Sequence, residues 1–385
     1  MSNKATIWLD KGRDYSLRKF HPWVFSGAIK RIDGNPVEGD YVRVLSDTGE
    51  FLGSGHYGTK SIAVRVLSFL DQSEEEAVRY SIQQAVNLRN RFGFFDEATT
   101  TGFRLIHAEG DCLSGLVADY YNKALVLQFH SEGMKRIKDF ILSEFKDVLS
   151  DMLTCVFEKN LEESGGEYLF GEPTDGLFRE NGKTFFVDWE NGQKTGFFLD
   201  QRENRALLER YTKNQTVLNA FCYTGGFSVY ALSGGATSVV SVDASKEALS
   251  VCEKNISLNS FSGLHKVVQA DCMQFLKTVA NEFSVIVIDP PAFVKHKGAL
   301  KNGLRGYEAL NLQAIQAVRP GGIVFTFSCS QFVDEKLFFE VVSKAAQLAN
   351  RPVSILHSLR QAPCHPINMF HPEGVYLKGL VLYVE

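Results

Sequence analysis

Two short stretches near the C-terminus carry residue types that can do chemistry: Asp289-Pro290-Pro291-Ala292-Phe293 and Ser328-Cys329-Ser330. Each follows an apolar run, Val285–Ile288 and Val324–Phe327. Runs this short read as buried parallel strands rather than helices. The two prolines cannot continue a ladder, so the chain must leave the sheet with Asp289 at its carboxyl edge. Ligands of open α/β sheets bind at that edge. Cys329, set between two small hydroxyl residues, is a candidate thiolate nucleophile, and Phe293 a candidate aromatic face. Together they suit chemistry on a flat, nitrogen-rich ring. Singly, each motif also reads as a tight turn or a buried structural cysteine; their pairing favours the chemical reading.

The elements that must position these residues follow from hydrophobic period and punctuation. From about Gly192 the pattern alternates strand and helix. Strands are expected at Val217–Phe221, Ser238–Val242, Lys266–Gln269, Val285–Ile288, Gly322–Phe327, Val353–Leu359 and Tyr376–Val384, the last two antiparallel around Pro372-Glu373-Gly374. Helices are expected near Gln201–Arg210, Gly226–Ser233, Lys246–Leu258, Cys272–Ala280, Leu310–Ala317 and Asp334–Leu348. This is a doubly wound, Rossmann-like α/β domain. Upstream, residues 1–71 read as a small β-barrel module of short strands punctuated by Asp33-Gly34-Asn35-Pro36 and Asp47-Thr48-Gly49. Between them, residues 72–188 form a central α+β unit. It opens with a helix from Ser73 and its three following glutamates, running to about Phe92 and Gly93, and carries a second helix near Met134–Leu149. Three domains are thus expected: 1–71, 72–188 and 189–385.

Composition limits the function classes. At 385 residues, with 44% hydrophobic and 22% charged residues, the chain is that of a multidomain globular protein. No apolar stretch approaches the roughly 20 residues that span a bilayer, and Met1-Ser2-Asn3-Lys4-Ala5 lacks a signal-peptide core, so a cytoplasmic location is expected. Seven scattered cysteines without a CxxC argue against disulfides, zinc or any other metal site. The net charge of −4 does not advertise nucleic-acid binding, but its distribution does. Residues 1–31 hold Lys4, Lys11, Arg13, Arg18, Lys19, Lys30 and Arg31 against Asp10 and Asp14. Lys295, Lys297, Lys301 and Arg305 follow the double proline without an acid, in a stretch read as a loop, with His296 among them as a further RNA contact.

The strand ends also carry a series of acids. After the first strand comes Phe221-Cys222-Tyr223-Thr224-Gly225-Gly226-Phe227, whose glycines permit close backbone approach. The second strand ends at Asp243, at the spacing where an acid grips ribose hydroxyls. The third ends at Asp271 and the fourth at Asp289. Three successive acids make one wall. With no GxGxxG cradle for a pyrophosphate, that wall fits S-adenosylmethionine (SAM) better than a dinucleotide.

Across essentially its whole length the chain resembles the RlmI-type family of bacterial large-subunit ribosomal RNA cytosine-5 methyltransferases. Lys11-Gly12-Arg13 through His21-Pro22-Trp23-Val24-Phe25-Ser26-Gly27-Ala28-Ile29 is similar to that family's RNA-binding PUA domain. Arg104-Leu105-Ile106-His107-Ala108-Glu109-Gly110-Asp111, Gly115-Leu116 and Asp119-Tyr120 resemble its central domain. Asn191-Gly192-Gln193-Lys194-Thr195-Gly196-Phe197-Phe198-Leu199-Asp200-Gln201-Arg202 resembles the entry to its methyltransferase domain. The chain departs from the pattern at Cys112 and Ser114, where Gly and Pro are expected, and at Cys364, where Asp is usual. The resemblance implies a cofactor site formed by Phe198, Asp200, Arg202, Asn219, Cys222, Tyr223, Thr224, Gly225, Asp243, Ala244, Asp271, Cys272, Asp289 and Pro290. It implies Cys329 and Asp289 as catalytic residues, and Phe293, Lys295, Lys297, Lys301 and Arg305 as contacts to ribosomal RNA.

Carbon-5 of cytosine is a poor nucleophile, and thiolate addition at carbon-6 makes it enamine-like. Cys329 is the expected nucleophile and Asp289 the hydrogen-bonding partner of the ring, with Phe293 stacking on a flipped base. Other RNA cytosine-5 methyltransferases place a second cysteine where this chain has Ala292, so the base for the carbon-5 proton is unassigned. Cys222 and Cys252 read as core, and His56 and His107 as structural. Two alternatives stay open: nitrogen methylation of a guanine or adenine in ribosomal RNA, which needs no thiol, and a non-catalytic PUA-type ribosome assembly factor. The oligomeric state, homodimer included, is also open.

Overall fold

The computed structural model describes residues 5–161 and 165–385; Lys4 of the basic N-terminal run lies outside them. Two units result. One comprises the chain to Gly182 with Val187–Leu199 and Pro363–Gly374; the other comprises Lys183–Phe186, Asp200–Ala362 and Val375–Glu385.

The first unit begins with β1 (Thr6–Leu9), helix α1 (Tyr15–Arg18), β2 (Trp23–Phe25), β3 (Ile29–Asp33), β4 (Tyr41–Leu45), β5 (Phe51–Tyr57) and β6 (Ile62–Ser68). They form one six-stranded sheet in the order β2-β6-β5-β4-β1-β3. Hydrophobic alternation reveals most of these strands, but not β3. Ile29-Lys30-Arg31-Ile32-Asp33 is an exposed edge strand whose charged side chains hide its period. Helix α2 (Glu74–Arg91) starts where its sequence says, because Ser73 and Glu76 exchange side-chain-to-backbone bonds of 3.1 and 2.9 Å in a capping box.

Then come β7 (Gly102–His107), β8 (Leu116–Tyr121), β9 (Ala124–Phe129), α3 (Glu132–Arg136), α4 (Lys138–Leu149), β10 (Cys155–Lys159), β11 (Gly166–Phe170) and β12 (Leu177–Glu180). The helix expected near Met134–Leu149 is therefore split at Ile137. A five-stranded sheet runs β11-β10-β9-β8-β7. Arg89 is fully buried beside it, forking onto Asp111 at 2.5 and 2.8 Å and donating to the Cys364 carbonyl at 2.8 Å. A bidentate pair of this kind satisfies a cation that would otherwise be costly to bury. Cys112 takes φ 59°, the left-handed conformation that explains why glycine is the expected residue there.

The second unit contains β13 (Lys183–Phe186), α5 (Arg202–Glu209), β14 (Thr216–Ala220), α6 (Gly226–Ser233), β15 (Ser238–Asp243), α7 (Lys246–Ser257), β16 (Leu264–Gln269), α8 (Cys272–Thr278), β17 (Phe283–Ile288), α9 (Leu300–Ala317), β18 (Val318–Ser328), α10 (Glu335–Ala349), β19 (Val353–Leu359) and β20 (Lys378–Val384). Its seven-stranded sheet runs β16-β15-β14-β17-β18-β20-β19, parallel except for β20. Neighbouring residues of β17 point to opposite faces. Ile286 and Ile288 join α8, α9 and α10 in one core, while Val285 and Val287 join α5 and α6 in the other. Burial on both faces is why β17 reads as an unbroken apolar run.

The stretch Lys295–Arg305 is not a loop throughout, as expected, since α9 begins at Leu300. Leu300, Leu304, Tyr307 and Leu310 supply its buried stripe. Gly303 and Gly306 mask that period in the sequence, yet they are what lets the helix sit against Phe293 and Val294.

Candidate active site

Parallel pairing sets the carboxyl ends of β14–β18 along one edge. Ala220 is level with Val242 on one side and Ile288 on the other, and Ile288 with Thr326. The chain order reverses between β14 and β17, which is the switch point where α/β sheets bind ligands.

At the end of β14 the backbone alternates into positive φ at Phe221 (58°), Tyr223 (47°) and Gly225 (80°). Such alternation turns successive N–H groups toward one concavity. Asp243 holds the turn by accepting from the Tyr223 N–H at 2.9 Å and the Ser245 N–H at 3.0 Å. A Cβ on Gly225 would lie 2.4 Å from Cys252 Sγ, so this glycine serves packing against α7 as much as ligand approach. Thr224 is buried and its carbonyl accepts from Asn255 at 2.8 Å.

The thiols of Cys222 and Cys272 turn inward. Cys272 Sγ accepts from the Phe221 N–H at 3.1 Å, and burial pushes its thiol up to about 12. The Cys252 side chain, together with burial, pushes Cys222 well above the ordinary thiol value. These positions therefore present backbone rather than sulfur. Asp271 is exposed and caps α8, accepting from the Gln274 N–H at 2.9 Å, and Ala244 is exposed beside Asp243.

Asp289 accepts from Gln201 Nε2 at 3.0 Å, and Gln201 is itself fixed by Asn204 at 2.6 Å. Cys329 Sγ lies 4.0 Å from the carbonyl oxygen of the buried Pro290, so the acid-proline turn and the thiol meet across β17 and β18. Ser330 is fully buried and anchors the cysteine turn through Tyr307 (2.8 Å) and the Val294 N–H (3.1 Å). Phe293 is half-buried, its ring 4.6 Å from that of Tyr307. Lys295, Lys297, Lys301 and Arg305 are exposed and make no ion pair among the described residues.

Phe198 belongs to the other unit, where Lys194 Nζ lies 4.7 Å from its ring centroid. Arg202 opens α5, buried. His56 is bonded to Glu74 at 2.6 Å. His107 packs 4.9 Å from His365 and is held well below the usual histidine range by burial and Arg104, so both are structural.

Gln201, Tyr376 and Lys378 went unassigned in the sequence. Tyr376 donates to Asp200 Oδ2 at 2.7 Å, and Lys378 donates to the Ser330 carbonyl at 2.6 Å. A lone lysine at the head of the apolar strand β20 is the signal that marks Lys378.

The site fits SAM chemically. Asp200 Oδ1 and Asn219 Oδ1 are buried acceptors without a partner among the described residues, and such atoms call for donors. The amino and ribose hydroxyl groups of SAM are donors of that kind.

Comparison with known proteins agrees. A PUA-like domain model matches residues 7–69, and an S-adenosylmethionine-dependent methyltransferase model matches residues 149–350. The ribosomal RNA large subunit methyltransferase I of Aeromonas hydrophila is 40% identical, covering 98% of this chain and 99% of its own. That of Pseudoalteromonas translucida is 39% identical over 99% of each chain. A solved chain from Streptococcus mutans described as a SAM-dependent methyltransferase superposes with a TM-score of 0.83 at 23% identity, covering 98% of this chain and 100% of its own. Another solved methyltransferase, complexed with SAH, gives 0.84 at 23% identity with the same coverage. With relatives this similar along both full lengths, the chain belongs to the SAM-dependent methyltransferases and, among them, to the ribosomal RNA large subunit methyltransferase I family.

Proposed function

We propose that this protein methylates carbon-5 of a cytosine in large-subunit ribosomal RNA, with Cys329 as covalent nucleophile. The observation that carries the reading is the meeting of Cys329 with the Asp289–Pro290 turn at the ligand edge of the sheet. The other buried thiols at that edge are pushed up and turned inward, whereas Cys329 is partly exposed. The relatives' names support ribosomal RNA as substrate.

SAM, when bound, supplies a methyl group as an electrophile. The chain's own residues do the rest. Asn219, the Phe221–Gly225 turn, Asp243 with Ala244, and Asp271 with Cys272 hold the cofactor, joined by Asp200 and Arg202. Cys329 adds as thiolate to carbon-6, raising electron density at carbon-5; once carbon-5 carries the methyl group, its proton passes to solvent, the sulfur–carbon bond breaks and the thiolate is restored. Asp289, steadied by Gln201, hydrogen-bonds the ring edge. Phe293 offers a stacking face, with its other contact on Tyr307. Lys295, Lys297, Lys301 and Arg305 neutralise phosphates beside it, and the modules 1–71 and 72–188 present the RNA. No helix among the described residues is long and apolar enough to cross a membrane.

Nucleoside mass spectrometry of ribosomal RNA tests this. A strain lacking the protein, complemented with wild type, regains one 5-methylcytidine; complemented with Cys329→Ala, it does not. A methylated guanine or adenine instead would establish the nitrogen-methylating reading.

A further inference from the structure

Lys378 is 2% exposed, in a strand hydrogen-bonded on both sides. Its Nζ donates to two neutral groups, the carbonyls of Ser330 (2.6 Å) and Tyr376 (2.7 Å), and among the described residues it forms no ion pair with a carboxylate. Burying an ammonium that no carboxylate contacts directly is costly, so a strand that keeps one has a use for it. The register shows where the charge is directed. Lys378 is opposite Ser328, and its ammonium is tied to the Ser330 carbonyl, so the charge lies against the backbone on either side of Cys329.

We propose that Lys378 is the positioning residue that holds Cys329 as a thiolate, the ammonium being its counter-ion. The inference rests on the nucleophile reading given above. The thiol proton ends on the Lys378 amine or in solvent, leaving a thiolate–ammonium pair with no net change of charge in the first case. An amine that donates to two carbonyls retains one further position for that proton.

Burial lowers Lys378 to about 8, near the ordinary thiol value of about 8.5. The charged groups facing Lys378 are Cys329, Asp334 and Glu335, each favouring the ammonium, and Tyr307 faces Cys329 from α9. Asp334 caps α10 through the Leu337 N–H. That leaves Cys329 as the one facing group whose charge the proposed reaction requires.

The test is the pH dependence of Cys329 alkylation by iodoacetamide, read peptide by peptide so that exposed Cys112 is separated. Wild type should react with a midpoint at least one pH unit below that of Lys378→Met, and Lys378→Arg should restore the lower midpoint. Unchanged SAM affinity in Lys378→Met serves as the folding control. Identical midpoints in wild type and folded Lys378→Met would overturn the proposal. Should the variants not fold, the thiolate absorbance of wild type minus Cys329→Ala decides it, because a Cys329 midpoint at or above about 8.5 is incompatible with the ion pair. Alkylation needs neither cofactor nor RNA. Its outcome is therefore separate from whether Cys329→Ala abolishes 5-methylcytidine, which judges the nucleophile reading.

Discussion

Asp243 is occupied before any ligand arrives, since its two oxygens fix the N–H groups of Tyr223 and Ser245. A ligand hydroxyl donating to the same carboxylate adds to bonds that already hold the turn in its positive-φ conformation. Removing the carboxylate thus removes the bonds that shape the cradle along with the proposed ligand contact. A charge-assisted hydrogen bond contributes about 1.5–3 kcal/mol. Asp243→Ala should therefore weaken SAM binding tenfold or more by calorimetry, and unchanged affinity would exclude Asp243 from the site. The position of this acid was legible because it ends an apolar strand. Its two backbone bonds were not, because they depend on the left-handed turn twenty residues upstream.

Helix α9 shows how an element can serve a site while hiding in the sequence. Lys301, Gly303, Arg305 and Gly306 break its apolar period, and its first two turns read as loop. In three dimensions the glycines are the reason the Phe293–Val294 segment can lie flat on the helix. A Cβ on Gly303 would come within 2.2 Å of Val294 Cγ2 and 3.0 Å of the Phe293 carbonyl. Gly303→Ala should destabilise the protein by about 1–3 kcal/mol through overpacking, despite alanine's better helix propensity. Denaturant titration measures this, and a stabilised variant would contradict it. The edge strand β3 was lost in the sequence for a related reason: four of its five residues are exposed, so no buried alternation marks it. Strands β14 and β17 were plain because both of their faces are buried.

At the scale of the whole chain, the parallel order of β14 to β18 gathers residues from Asn219 to Cys329 at one sheet edge, and this much follows from alternating strand and helix patterns. The supports come from outside that alternation. Gln201 precedes the first strand of the sheet, Lys378 opens the last one, and Tyr376 lies two residues before it. Contacts between segments so far apart leave no local pattern; only the isolated charge in Lys378-Gly379-Leu380-Val381 hints at one. The assembled edge makes one central claim, that Cys329 bonds transiently to carbon-6 of a cytosine. Large-subunit ribosomal RNA carrying 5-fluorocytosine tests it most directly, since fluorine does not leave as the carbon-5 proton does. With SAM present, wild type should form an adduct that survives denaturation and maps to Cys329 by mass spectrometry, and Cys329→Ala should form none. Methyl transfer to the unsubstituted RNA with no adduct on the fluorinated one would contradict the claim.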